Sequence, residues 1–483
     1  MADQSIYLQD PSDHEFPVST RVASTYNPLH TFELPKGEEK GYSQQFADMY
    51  FLRLVALKPT VEKIAAEAWA EFELAGEKAR QVERVLDVRQ GELCWMVGTV
   101  FMELPLKPNV LDDLVKEHWI AAPPAREKYI SYDDKDKAFL EDESGRLRLT
   151  GAHLKSHLLV TGCIVAVMGS ENAAGEFEVV DIKFPDLPAQ PERWARDLGA
   201  KKKKPPLCGK LGIVSGLGVN VDSGDTLLHD LLVEYLLGDI PSPADVSQIS
   251  RLIIVGNSMD HASPIMSRED FDAAKRTKKF GQDIHDPVPS ELLDDFLAQL
   301  LPTIPITILP GETDPANVTF PQQPLHPALF PTSRAYINPP TENDPTPNWL
   351  DSVSNPWEGD VDGWRFLATS GQPIDDVFRY LPGDDRLVMM EHVLRWRNAA
   401  PTAPDTLWSY PFQDKDPFVI KECPHVYLVG NQPRFETAII QGPAGQTVKL
   451  ISVPKFKETG MLVLLDMETL EAECVKFEVP EPK

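Results

Sequence analysis

The second part of the chain alternates short apolar runs with amphipathic helix patterns, and a glycine stands at or just after the end of most of these runs. The predicted strands are Ile213–Gly216, Arg251–Gly256, Ile306–Leu309, Arg365–Thr369 and His425–Gly430, and the predicted helices are Leu227–Leu237, Glu291–Leu301 and Asp384–Arg397. Short apolar runs that alternate with helices are typical of an α/β domain with strands buried on both faces. In such a domain the functional residues lie in the loops at the strand ends. Three further strands, at 447–453, 461–465 and 473–479, close the pattern.

The part of the chain that precedes this α/β region has a different pattern. Apolar residues recur at helical spacing from Phe46 to Phe72, on both sides of Pro59, which predicts two amphipathic helices broken at the proline. Residues 90–190 then contain about five short strand patterns separated by polar turns. Five short strands within about a hundred residues favour a small barrel, and the OB fold is the leading candidate.

These patterns divide the chain into four parts. A length of 483 residues is too great for one hydrophobic core. We expect an extended segment over residues 1–40, an OB-fold domain with flanking helices over 41–200, a basic linker over 201–206 and the α/β domain over 207–483. The run Lys201–Lys204 in the linker is either a nuclear localisation signal or a solvated linker.

The charge and the cysteines exclude several functions. The net charge is −27, so strong direct binding to a nucleic-acid backbone is not expected. No run of about 18 apolar residues is present, so no membrane partner is expected. The cysteines are five and far apart in the sequence, which argues against a closed zinc site; they are Cys94, Cys163, Cys208, Cys423 and Cys474.

The span Pro321–Asp360 contains nine prolines and shows no periodicity. A stretch of this kind within a compact domain is usually an ordered functional loop or a partner surface. It carries Phe330, Tyr336, Trp349 and Trp357, which we regard as candidate partner contacts together with the outer face of the barrel. The alternative, that these aromatic side chains pin the loop onto its own domain, is equally open.

The strand-end loops resemble those of the calcineurin-like metallophosphoesterases, which read D-x-H, G-D, G-N-H-D, a single His and G-H-x-H. Those loops hold two divalent cations, which require several carboxylate and imidazole ligands. The corresponding positions here are Gly216 and Gly218 in the first loop, Asn257 in the second, Glu312, Thr313 and Asp314 in the third, Ser370 and Asn398 where single histidines stand, and Asn431 and Pro433 in the last. Only Asp314 keeps the residue of the family. The resemblance therefore implies the fold without its metal site, so neither a metal nor a cofactor is expected.

A second resemblance is more specific. The stretches Val97–Pro108, Pro310–Pro315, Phe320–Pro327, Thr369–Gln372 and Pro401–Leu407 are similar to the delta-type second (B-type) subunits of replicative DNA polymerases. The implied fold is an OB-fold barrel plus a catalytically inactive calcineurin-like metallophosphoesterase domain, a two-sheet αββα sandwich. The first 40 residues and the linker do not share this resemblance.

The resemblance implies a nuclear scaffold that binds proteins. Its expected partners are the cysteine-rich C-terminal module of the catalytic subunit of DNA polymerase delta and the third subunit, which links it indirectly to the sliding clamp. The family also serves polymerase zeta, whose catalytic subunit is a further expected partner.

Three alternatives are weaker. An active metal-dependent phosphoesterase or nuclease would need the D-x-H and G-H-x-H loops, which this sequence lacks. A single-strand-binding barrel would need basic and aromatic residues in alternation, which residues 90–190 do not show. The third alternative is a B-type subunit of polymerase alpha or epsilon, and the Pro-Gln-Gln-Pro-Leu-His-Pro run favours the delta-type subunit over both.

Overall fold

The computed structural model describes residues 19–35, 40–41, 45–74, 76–108, 126–131, 135–193, 209–220, 226–239, 243–260, 288–337 and 349–479. The run Lys201–Lys204 lies outside these residues. The position of the linker, and with it the proposed division into four parts, therefore stays a prediction.

The secondary structure contains both helices and strands. The strands are β1 (Tyr26–Leu29), β2 (Glu73–Leu74), β3 (Glu77–Lys78), β4 (Arg80–Gln81), β5 (Cys94–Glu103), β6 (Lys137–Glu141), β7 (Arg146–Thr150), β8 (Ile164–Glu171), β9 (Glu176–Lys183), β10 (Lys210–Val214), β11 (Ile249–Val255), β12 (Ile306–Leu309), β13 (Leu350–Ser352), β14 (Trp357–Val361), β15 (Trp364–Thr369), β16 (Val426–Gln432), β17 (Glu436–Gln441), β18 (Thr447–Pro454), β19 (Met461–Asp466) and β20 (Ala472–Lys476). The α-helices are α1 (Ala47–Trp69), α2 (Leu227–Leu237), α3 (Pro243–Val246), α4 (Val288–Leu300), α5 (Gln372–Tyr380), α6 (Arg386–Arg395) and α7 (Phe456–Thr459).

The strands between residues 80 and 183 form a closed barrel. Their order is β4-β5-β6-β7-β9-β8, and an additional pairing of β5 with β8 closes the sheet on itself. Side chains of β5 alternate between two cores, as strand geometry requires. Met96 and Val100 belong to the larger core, whereas Trp95 and Val97 pack with α1 on the other face. The expected small barrel is therefore present.

The prediction of two helices broken at Pro59 is wrong, because α1 runs continuously through the proline. Leu54 and Leu57 before the proline and Val61 and Ala65 after it are all buried in one cluster against the barrel. Proline removes one backbone donor and crowds the preceding turn. The apolar burial on both sides of Pro59 holds the helix together despite that cost.

Strands β2 and β3 pair as a short two-stranded sheet, and the other described strands form two six-stranded sheets that pack face to face. Their orders are β1-β14-β15-β16-β18-β17 and β13-β12-β11-β10-β19-β20. One apolar cluster lies between the sheets and includes Ile253 and Leu211 from one and Phe366 and Leu428 from the other. Helices α2 and α4 cover the outer face of the second sheet, and α5 and α6 cover that of the first. The layers are therefore helix, sheet, sheet and helix.

The barrel and the sandwich share a core. The cluster inside the barrel continues without a break into the residues of α5 and α6. The side chain of Arg53 on α1 crosses this junction, and its Nε donates to Oδ2 of Asp416 at 2.8 Å. Both side chains are fully buried. The two regions therefore depend on each other for their packing.

The described residues of the proline-rich span pack mainly against their own domain. Phe330 and Trp357 are buried in the sandwich, and Tyr336 is partly buried against the cluster that contains Phe330. Trp349 is 38% exposed. The interpretation of Phe330 and Trp357 as partner contacts is therefore wrong, because both side chains already fill the core.

Candidate functional site

Loops that follow strands of both sheets meet at one cleft. The backbone N–H of Gly218, after β10, donates to the carbonyl of Asn257, after β11, at 3.0 Å. The backbone N–H of Thr313, after β12, donates to the side-chain oxygen of Asn257 at 3.3 Å. From the other sheet, the amide of Asn431 donates to the carbonyl of Ser370 at 2.7 Å. The structure thus brings together most of the residues that the sequence singled out.

The first loop leaves no room for metal-binding side chains. Gly216 and Gly218 have φ values of +60° and +57°, in the region that disfavours residues with a Cβ. A Cβ on Gly216 would lie 2.6 Å from Oδ1 of Asn431 and 2.9 Å from Cβ of Lys455. A Cβ on Gly218 would lie 2.7 Å from Cδ of Lys457. Neighbouring side chains therefore occupy the space that an Asp and a His would need.

The surviving family residue, Asp314, is used to hold the loops. It is buried, and its two carboxylate oxygens accept hydrogen bonds from the backbone N–H groups of Met259, at 2.8 Å, and Gly311, at 2.7 Å. Burial raises the pKa of Asp314 to about 6, although these N–H groups favour the ionised form. The carboxylate joins the second and third loops through backbone contacts.

The raised pKa of Asp314 predicts a pH dependence of stability. The folded chain holds this proton more tightly than the unfolded chain, so the contribution of Asp314 is complete below about pH 4 and is lost as the pH rises through about 6. We expect the wild type to lose up to ~3 kcal/mol of unfolding free energy relative to Asp314→Asn over this range. Urea denaturation of both proteins at several pH values measures the difference. A difference that does not change with pH would contradict the assignment.

Two other acidic side chains near the cleft are paired with cations of the same chain. Asp260 accepts from Nζ of Lys457 at 2.7 Å. Asp375 accepts from the guanidinium of Arg386 at 2.6 Å, and Arg386 is largely buried. These carboxylates therefore already have positively charged partners.

A network of amides and one hydroxyl occupies the side of the cleft toward the first sheet. The side-chain N–H groups of Asn355 donate to Gln322, at 2.9 Å, and to the hydroxyl of Ser370, at 2.6 Å. Gln372 donates to the same oxygen of Gln322 at 2.9 Å, and Gln322 in turn donates to the carbonyl of Gly311 at 3.0 Å. The sequence did not single out these amides as site residues. Gln322 and Gln372 do lie in two of the stretches that carry the resemblance, which is the signal that could have found them.

Of three further predicted positions, one lies away from these loops and two are at the surface. Asn398 donates to Asp416 at 3.4 Å and accepts from the backbone of Ala400 at 2.9 Å, so it belongs to the junction with the barrel. Glu312 and Pro433 are exposed. The assignment of Asn398 to the cleft needs correction, because the turn after α6 points its side chain toward the barrel.

The residues at the cleft do not fit a two-metal centre. Among the residues that the structure describes, no group of three or more His, Cys, Asp or Glu side chains is placed to hold a metal ion. The side chains that meet there are amides, hydroxyls and carboxylates engaged by backbone or by cations, whereas two divalent cations need free carboxylates and imidazoles. In the described part of the chain, no helix combines the length and apolarity needed to cross a membrane.

Comparisons with known proteins agree with the two regions of the structure. The family model of the DNA polymerase delta subunit OB-fold domain matches residues 45–182, and that of the B-type subunit of DNA polymerases alpha and epsilon matches residues 211–437. The chain is 36% identical to the DNA polymerase delta small subunit of Saccharomyces cerevisiae, over 98% of this chain and 97% of that protein. It is 37% identical to the protein of the same name from Arabidopsis thaliana, over 95% and 97%, and 31% identical to DNA polymerase delta subunit 2 of Drosophila melanogaster, over 96% and 99%. The chain belongs to the family of DNA polymerase delta small subunits.

Proposed function

We propose that the chain acts without catalysis, as an accessory subunit that holds DNA polymerase delta together. In this proposal the sandwich is a calcineurin-like metallophosphoesterase fold that has lost its activity. The observation that carries the proposal is the first loop, where side chains of Asn431, Lys455 and Lys457 fill the space beside Gly216 and Gly218. A cleft filled in this way cannot present a metal-activated water to a phosphoester.

The proposed partners are proteins of the polymerase. One is the cysteine-rich C-terminal module of the catalytic subunit, and another is the third subunit, through which the sliding clamp is reached indirectly. The catalytic subunit of polymerase zeta is a further partner in the proposal. The protein works in the nucleus, and its net charge of −27 supports protein binding rather than strong direct DNA binding.

Exposed apolar side chains support an assembly role. On α1, next to the barrel, Phe51 is 47% exposed and Val55 is 73% exposed. On the loop that follows α6, Trp408 is 60% exposed. Large apolar side chains at the surface mark protein contacts when they occur close together. The adjacent turns of α1 that carry Phe51 and Val55 are therefore our candidate contact with the catalytic module.

The test is co-purification of the full chain with the tagged C-terminal module of the catalytic subunit. Wild type should be retained in a stable complex, and Phe51→Glu combined with Val55→Glu should weaken binding by about tenfold or more. The matched control is Ile439→Glu, at a 63% exposed position on strand β17 of the sandwich. All variants should keep the melting temperature of the wild type. Failure of the wild-type chain to bind the module would contradict the proposed function.

A further inference from the structure

The turn that follows β18 is fastened across the first loop of the cleft. The backbone N–H of Phe456 donates to the carbonyl of Ser215 at 2.7 Å, and that of Lys457 donates to the carbonyl of Gly216 at 3.0 Å. The hydroxyl of Ser215 donates to the carbonyl of Pro454 at 3.1 Å. These bonds hold the turn, and with it the start of the Lys457 side chain, in a defined position over the cleft.

The side chain of Lys457 then runs past Gly218 to the second loop. Its Cδ lies 2.7 Å from where a Cβ on Gly218 would be, and its Nζ lies 2.7 Å from Oδ2 of Asp260. Asp260 is fixed in turn, because its backbone N–H donates to the carbonyl of Val219 at 3.1 Å. An ammonium group therefore lies at the mouth of the cleft, between the first and second loops.

We infer that Lys457 supplies, as a built-in cation, the positive charge that a divalent metal ion supplies in metal-containing versions of this fold. The inference rests on the proposed function, in which the sandwich derives from a metallophosphoesterase. A divalent cation placed beside Asp260 would meet the ammonium group at close range, and like charges at such a distance repel. Two features thus exclude a metal ion independently: the loops lack the metal-binding side chains, and the ammonium group of Lys457 stands beside Asp260. The loops hold their positions without a metal ion.

Charge reversal tests this directly in the purified full chain, with Mn²⁺ alone as the probe. Lys457→Glu places a second carboxylate against Asp260, so the melting temperature should fall and then recover by about 1 °C with about 1 mM MnCl₂. The control is Lys455→Glu, in the same turn, which places a carboxylate against Glu458, the native partner of Lys455 at 3.1 Å on the surface, and so measures the effect of a carboxylate pair away from Gly218. Wild type should not respond to Mn²⁺, and Lys455→Glu should respond less than Lys457→Glu.

A second variant keeps the test decisive if Lys457→Glu folds poorly. Lys457→Gln removes the charge and shortens the side chain by one atom, and it should show a larger Mn²⁺ response than Lys455→Gln. Equal responses at positions 455 and 457, or no response in any Lys457 variant, would overturn the inference. Either result leaves binding of the catalytic module unaffected, so failure of this inference is distinguishable from failure of the proposed function.

Discussion

Replacing Arg53 with leucine is expected to lower the free energy of unfolding by about 3–5 kcal/mol. Arg53 and Asp416 are both fully buried, and the substitution leaves the carboxylate of Asp416 without its counter-ion. The guanidinium also donates to the carbonyls of Pro401, at 2.6 Å, and Ala403, at 2.9 Å, which lose these partners. Breaking one side of a buried ion pair is costly because the other charge stays desolvated.

Urea denaturation followed by tryptophan fluorescence measures this effect. The matched control is Arg89→Leu, whose exposed side chain pairs with Glu92 at 3.6 Å, and its unfolding transition should nearly coincide with that of wild type. The double variant Arg53→Leu with Asp416→Leu should recover part of the loss, because no unpaired charge remains. A single Arg53→Leu variant as stable as Arg89→Leu would show that the junction does not depend on this pair.

The second large effect concerns Tyr26 in β1. The guanidinium of Arg251 lies 3.9 Å from the centre of the Tyr26 ring, and the Tyr26 hydroxyl donates to Asp351. Arg251 is 1% exposed. Tyr26→Ala therefore removes the ring that packs on this buried guanidinium and the hydroxyl that donates to Asp351. We expect the free energy of unfolding to fall by about 3–5 kcal/mol.

Tyr26→Phe is the matched control for this prediction. It keeps the ring over Arg251 and removes only the hydroxyl, so the expected loss is about 1–3 kcal/mol. Both variants can be compared by chemical denaturation under the same conditions. Equal losses in the two variants would show that the ring itself contributes little.

The segment that carries Tyr26 is more than the extended lead-in that the sequence suggested. Strand β1 pairs antiparallel with β14 and completes the edge of the first sheet. N-terminal to β1, the guanidinium of Arg21 donates to the carbonyls of Leu236, Val246 and Ile249 at 2.8–2.9 Å. Residues 21–29 therefore tie the first sheet to elements around the second. Nothing in their local composition indicates this, because the partners lie more than 200 residues away in the sequence.

Periodicity predicted the elements whose burial is regular. The helix Leu227–Leu237 and the strand Ile306–Leu309 have the predicted bounds, since the apolar residues of the helix recur at helical spacing and the strand is a short run buried on both faces. The sequence did not predict helix α5, because it is only nine residues long and begins with Gln372 and Pro373, although its buried residues Ile374, Val377 and Tyr380 recur at helical spacing. At Pro59 the sequence predicted a break in the helix that is absent, because packing of α1 against the barrel outweighs the local cost of the proline.

The site could be predicted in part. Glycines and amides at the strand ends indicated which loops meet, because the carboxyl ends of neighbouring parallel strands lie at one edge of a sheet. The sequence did not reveal that Lys457 reaches Asp260, nor that Asn355 joins Gln322 to Ser370. These contacts depend on side-chain directions set by the packing of two sheets, which local pattern does not contain.

We propose that this member of the polymerase delta small-subunit family works by binding and not by metal-dependent hydrolysis. Hydrolysis of a phosphodiester substrate by the purified full chain with saturating Mn²⁺ tests this most directly. We expect a rate that equals the protein-free background and does not change with Asp314→Asn. Hydrolysis that rises with protein concentration, is abolished by a chelator and is lost in Asp314→Asn would contradict it.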